Sequence, residues 1–135
     1  MVRILLIEDN DADIMLFREA IRASPISADV VIACDGEEAV RLMTGEGSKA
    51  HVIVLDLNLP KFDGFDILEF FCTQGGPPVV IFTSSTSERD RARALALGAR
   101  DYVVKPFKSD TFIAAVQSIL QRWTEAQAAA ASSAE

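Results

Sequence analysis

Residues 2–9 read VRILLIED, a nearly unbroken apolar run closed by two acids, Glu8 and Asp9. Apolar residues at consecutive positions, and not at every second one, mark a strand buried on both faces. The pattern recurs along the chain. HVIVLD (51–56) closes on Asp56, PPVVIFT (77–83) on Thr83 and DYVVK (101–105) on Lys105. Including Val30–Cys34, five apolar runs emerge: Val2–Ile7, Val30–Cys34, Val52–Leu55, Val79–Phe82 and Tyr102–Val104. They are rich in Val and Ile and bounded by turn residues, as buried strands are.

Helical patterns fill the gaps. Asn10 or Asp11 can cap a first helix with Ile14, Phe17 and Ile21 at helical spacing. Asp35-Gly36 opens a second, through Met43, and Gly64 precedes a third, FDILEFF. Ser85-Thr86-Ser87-Glu88 is a capping-box pattern for a fourth, which stops near Gly98. Ser109 or Asp110 starts the last, with Phe112, Val116, Ile119, Leu120 and Trp123 as one apolar stripe. Five strand–helix units in succession predict a doubly wound α/β domain: a parallel sheet, helices on both faces and right-handed crossovers. Residues 1–124 are expected to form this domain. Residues 125–135 are read as an Ala-rich extension of the last helix or a disordered tail.

Composition narrows the function. The 135 residues carry a net charge of −7, which argues against sequence-independent nucleic-acid binding, a property that needs a basic surface. No apolar stretch approaches the roughly 20 residues of a membrane span, so no membrane insertion is expected. The N-terminus runs straight into acids without a small-residue cleavage site and reads as a strand, not a signal peptide. Cys34 and Cys72 form no C-x-x-C pair. They read as small buried hydrophobes in a reducing cytoplasm.

In an open parallel sheet, ligands bind beyond the carboxyl ends of the strands. Glu8, Asp9, Asp56, Thr83 and Lys105 all fall at that edge. Asp35 falls there too, but with Gly36 and a helix behind it, it is more simply a turn and N-cap residue. Clustered carboxylates repel, and a divalent cation relieves them. Mg2+, with Mn2+ as the alternative, prefers oxygen ligands. Asp9, Asp56 and the Asn58 backbone carbonyl are the natural set, with Glu8 acting through water. No His or Cys cluster suggests zinc, and the lone His51 reads as a surface residue. A carboxylate screened by a metal is a competent phosphoryl acceptor. Lys105 adds a second positive charge for phosphoryl oxygens, and Thr83 a hydroxyl.

These residues resemble the receiver domain of two-component response regulators, over residues 2 to about 124. The matching stretches are LLIEDN, VLDLNLPKFDG, VVIFTSS, the Ala94–Leu97 helix end with GARDY, and VVKPF. The resemblance implies a flavodoxin-like fold with strand order 2-1-3-4-5 and Asp56 as phosphoacceptor from a sensor histidine kinase. It implies Glu8 and Asp9 as the acidic pair for Mg2+, with the Asn58 carbonyl. Thr83 and Lys105 would contact the phosphoryl group, and a cis peptide would join Lys105 to Pro106. It further implies a switch in which Thr83 and Tyr102 move together and reshape the surface of the fourth helix, fifth strand and fifth helix. DLNLPK-x-DG and a long last helix are also similar to the small receivers of phytochrome-type kinases, although TGEGSKA and TQGGPP are short for that subgroup.

Other classes fit less well. A haloacid-dehalogenase-like phosphatase needs a second Asp two residues beyond its nucleophile, where this chain has Asn58. A flavodoxin needs a phosphate-cradling first loop, where this chain has Glu8-Asp9-Asn10-Asp11-Ala12-Asp13. A degenerate docking receiver would have lost site residues that are all present here. The reading is thus a phosphoacceptor signalling domain, at most slowly self-dephosphorylating, and not an enzyme. As 135 residues leave no room for an output domain, the signal would leave through a partner, a homodimer or onward phosphotransfer. Arg89, Arg91, Arg93 and Arg100 read as a solvated charged face, with docking as the alternative. Phe62, Phe65, Phe70 and Phe71 exceed what one helix face buries.

Overall fold

The computed structural model describes residues 1–45, 49–59 and 63–133. In chain order the elements are β1 Val2–Ile7, α1 Asp11–Ala23, β2 Ala28–Ala33, α2 Gly36–Met43, β3 Val52–Leu55, α3 Gly64–Thr73, β4 Val79–Thr83, α4 Glu88–Leu97, β5 Asp101–Val104 and α5 Ser109–Ser133. The strands form one parallel sheet in the order β2-β1-β3-β4-β5, the flavodoxin-like arrangement expected.

Alternation along the strands explains why their runs are continuously apolar. Leu5, Ile7, Ile53, Leu55, Val79 and Ile81 face one side, where α2, α3 and α4 bring Ala39, Leu68, Phe71 and Ala94. Ile4, Leu6, Val52, Val54, Val80 and Phe82 face the other, where α1 and α5 bring Phe17, Ala20, Phe112, Val116 and Leu120. Both faces are covered, so the inner positions of the central strands are apolar. The α5 stripe is as read, with Trp123 packed at its end.

Caps fix where the first four helices begin. Asn10 accepts from the Asp13 N–H, Asp35 from Glu38, Asp63 from Phe65 and Ser87 from Asp90. Asp35 is therefore the N-cap residue anticipated. α4 closes on Gly98, whose φ of +118° is a left-handed cap that suits glycine.

Gly64 is required for a different reason. A Cβ there would lie 2.5 Å from both the Cα and the carbonyl oxygen of Leu57, and backbone cannot give way as a flexible side chain can. The absence of a side chain lets α3 start directly against the segment that follows β3. We expect Gly64→Ala to lower stability by about 2 kcal/mol, the usual size of an overpacking penalty, read as a lower urea midpoint. An unchanged midpoint would mean that this approach is not tight.

Two expectations are corrected. The Lys105–Pro106 peptide is trans, since no cis bond occurs among the described residues; trans is intrinsically favoured even before proline, by about 0.5–1 kcal/mol. Cys34 is exposed, not buried, because β2 ends at Ala33 and leaves it one residue past the sheet. Desolvation first, then the charges of Glu38, Asp11, Asp35 and Asp9, raise its thiol above the ordinary value. Among the phenylalanines, Phe65 and Phe71 are buried and Phe70 is 40% exposed, while Phe62 lies outside the described residues.

Candidate functional site

Strand order reverses between β2-β1 and β3-β4-β5, so β1 and β3 flank the switch point where such sheets bind ligands. Backbone pairing pins the acids there. The Asp56 N–H donates to Ile7 O at 3.1 Å, and the Glu8 N–H to Ala33 O at 2.9 Å. On the far side, the Lys105 N–H donates to Thr83 O at 2.7 Å. The side chains at these strand ends are thus placed by the ladder itself.

Glu8, Asp9 and Asp56 converge, each offering a carboxylate oxygen within 4.8 Å of the others. Glu8 and Asp56 are buried, while Asp9 is exposed. Glu8 Oε2 accepts from the N–H groups of Asp9 and Asn10 at 3.1 and 3.3 Å. Asp56 Oδ1 accepts from the Asn58 N–H at 3.2 Å. Lys105 reaches in from β5. Its Nζ lies 2.5 Å from Glu8 Oε1, 2.8 Å from Asp13 Oδ2 and 3.1 Å from Asp56 Oδ2.

The electrostatics follow from burial. Desolvation pushes the Glu8 carboxyl up to about 7; the hydrogen bond from Lys105 opposes this and the Asp56 charge reinforces it. For Lys105, burial favours the neutral amine. Hydrogen bonds to Asp13 and Glu8, with the charges of Glu8 and Asp56, outweigh it and hold the ammonium above its ordinary value. The site is a nest of acids short of positive charge. Its donor set is all hard oxygen, which fits a divalent cation such as Mg2+ or Mn2+ and does not fit a thiophilic metal.

Thr83 is fully buried at the end of β4, and its Oγ1 accepts from the Ser85 N–H at 3.5 Å. Tyr102 is buried too, and its hydroxyl donates to Ser85 O at 3.0 Å. Thr83 and Tyr102 therefore meet on the same residue of the β4–α4 segment. Two of the arginines are engaged: Arg91 donates to Tyr102 O at 3.3 Å, and the Arg93 guanidinium lies 4.1 Å from the Phe65 ring centroid. His51 is exposed, its Nδ1 accepting from the Arg3 N–H.

Two features escaped the sequence. Asp13 joins the site from the first turn of α1; its only local signal is its place in the first helical turn, one turn beyond Asp9. Phe107 stands fully exposed just after β5, in a position that looked like part of the KPF turn.

The doubly wound sheet thus gathers carboxylates, a hydroxyl and a lysine at one edge. The model of the response regulator receiver domain matches residues 4–117, and the chain belongs to that family. It is similar in structure to the phosphorylated cyanobacterial phytochrome response regulator RcpA (34% identical, TM-score 0.83). It is likewise similar to the Mn2+-bound form of the response regulator Rcp1 (32% identical, TM-score 0.79). Each match covers 91% of this chain and 94% of the other. The transcriptional regulatory protein CpxR of Escherichia coli strain K12 is 34% identical over 129 residues, 94% of this chain and 53% of CpxR. The chain spans about half the length of the curated relatives it matches. Among the described residues, no helix is long and apolar enough to cross a membrane.

Proposed function

We propose that Asp56 accepts a phosphoryl group from a sensor histidine kinase, of phytochrome type by likeness to RcpA, and that Lys105, Thr83 and Tyr102 convert its arrival into a change of surface. What carries this reading is the setting of Asp56: a buried carboxylate with Lys105 Nζ at 3.1 Å and two further acids within 4.8 Å. Glu8, Asp9, Asp56 and the Asn58 carbonyl would hold Mg2+, or Mn2+ in its place. When bound, that cation screens the charge on the transferring phosphoryl group.

The chain's own residues do the rest. An Asp56 carboxylate oxygen forms the bond to phosphorus as the bond from phosphorus to the donor histidine nitrogen breaks. The imidazole leaves with that electron pair and takes up a proton, and the product is an acyl phosphate. Lys105 donates to a phosphoryl oxygen. Thr83 turns its hydroxyl toward another, which alters the β4–α4 segment that Tyr102 also holds through Ser85 O. The outcome appears on α4, β5 and α5, where Leu95 and Val104 are 40% and 39% exposed and Phe107 is bare. That face would carry partner binding, a homodimer or onward phosphotransfer. Two free thiols support a cytoplasmic setting, residues 1–124 would be the receiver unit, and net charge −7 speaks against nucleic acid as its ligand.

The test is incubation with a small phosphodonor. One phosphoryl group per chain is expected with Mg2+ and none in EDTA, read by intact mass. No uptake with Mg2+ would sink the proposal. If the output is a homodimer, phosphorylated protein sediments faster than unphosphorylated; equal monomers in both forms would remove that route.

A further inference from the structure

Asp13 contacts Lys105 yet has no task in accepting a phosphoryl group. An ammonium has three N–H donors and no acceptor. At Lys105 all three have partners: Glu8 Oε1, Asp13 Oδ2 and Asp56 Oδ2. A phosphoryl oxygen arriving on Asp56 must therefore take a donor that is already committed.

The three partners differ in how readily they let go. The Glu8 and Asp56 side chains are 3% and 8% exposed, whereas that of Asp13 is 25% exposed. Water can take the lysine's place on Asp13 and cannot readily do so on the other two. Asp13 also lies in the first turn of α1, where the helix N-terminus favours an unpaired carboxylate. Its pair with Lys105 is the cheapest of the three to open. Once it opens, Glu8 and Asp56 still moor the ammonium in place.

We infer that Asp13 is a positioning residue that occupies one Lys105 donor in the unphosphorylated protein and yields it to the phosphoryl oxygen, so that its carboxylate restrains phosphorylation. This rests on Asp56 being the acceptor. Asp13 acts only through Lys105, and that dependence makes it testable.

The measurement is the rate of phosphorylation by phosphoramidate with saturating Mg2+, as a function of donor concentration. Asp13→Asn raises the maximal rate roughly fivefold, the size of one partly exposed ion pair, and leaves the half-saturating donor concentration unchanged. In a Lys105→Met background the same substitution has no effect. Asp13→Glu, which keeps the charge, restores the wild-type rate. In metal-free protein, the Lys105 ammonium protons exchange with water faster in Asp13→Asn, read by NMR, while the melting temperature stays near that of the wild type. An unchanged or slower rate in Asp13→Asn overturns the inference, as does an equal gain without Lys105. Failure of the wild type to take up phosphate would instead overturn the acceptor assignment, so the two failures are distinct.

Discussion

Asp56→Asn takes up at least about a hundredfold less phosphate than the wild type, at any donor or Mg2+ concentration. The reasoning is chemical before it is structural. An amide oxygen carries no full negative charge and is a far poorer nucleophile toward phosphorus than a carboxylate. It also removes one of the acids offered to the metal. The fold should not suffer. The amide oxygen can still accept from the Asn58 N–H, as Asp56 Oδ1 does. Glu8 loses a like charge that raises its carboxyl, so melting in EDTA should occur at or slightly above the wild-type temperature. Intact mass after exposure to phosphoramidate decides the matter. A variant that gains phosphate at the wild-type rate would move the acceptor elsewhere.

The second large effect is on stability. Lys105→Met leaves Glu8 and Asp56 buried without the cation that both contact, their side chains 3% and 8% exposed. Removing one partner of a buried ion pair costs about 3 kcal/mol, because the charge left behind has neither water nor a counterion. In EDTA the variant should therefore unfold at a clearly lower urea concentration. Protonation of Glu8, already displaced to about 7, relieves part of the penalty at lower pH. A divalent cation bound to the same acids supplies the missing charge, so Mg2+ should stabilise the variant more than the wild type. Equal Mg2+ stabilisation of the two proteins would show that lysine and metal do not answer the same acids.

The sequence disclosed most where burial was complete. The runs that define β1 and β3 match the strands residue for residue, since both faces of a central strand are covered by helices. It disclosed less at the edge. β2 begins at Ala28, two residues before the apolar run, because pairing with β1 starts where Asp29 still faces water. Glu8, Asp9 and Asp56 were legible because parallel strands align their ends. Asp13 was not. It meets Lys105 across 92 residues of sequence, and only the helix phase set by the Asn10 cap directs it toward the site. Cys34 was misread because it lies just beyond a strand, where an apolar residue no longer implies a buried one, and Phe107 is exposed for the same reason.

The chain contains a single tyrosine, and its phenol rests on the carbonyl of Ser85 in the segment that leads from the hydroxyl of Thr83 to α4. One chromophore thus sits between Asp56, the proposed acceptor, and the α4 surface. Near-ultraviolet spectra of this protein carry no competing tyrosine signal, and the lone tryptophan lies far along α5. The molecule holds its own optical gauge of whether the message has passed inward from the acid and outward again.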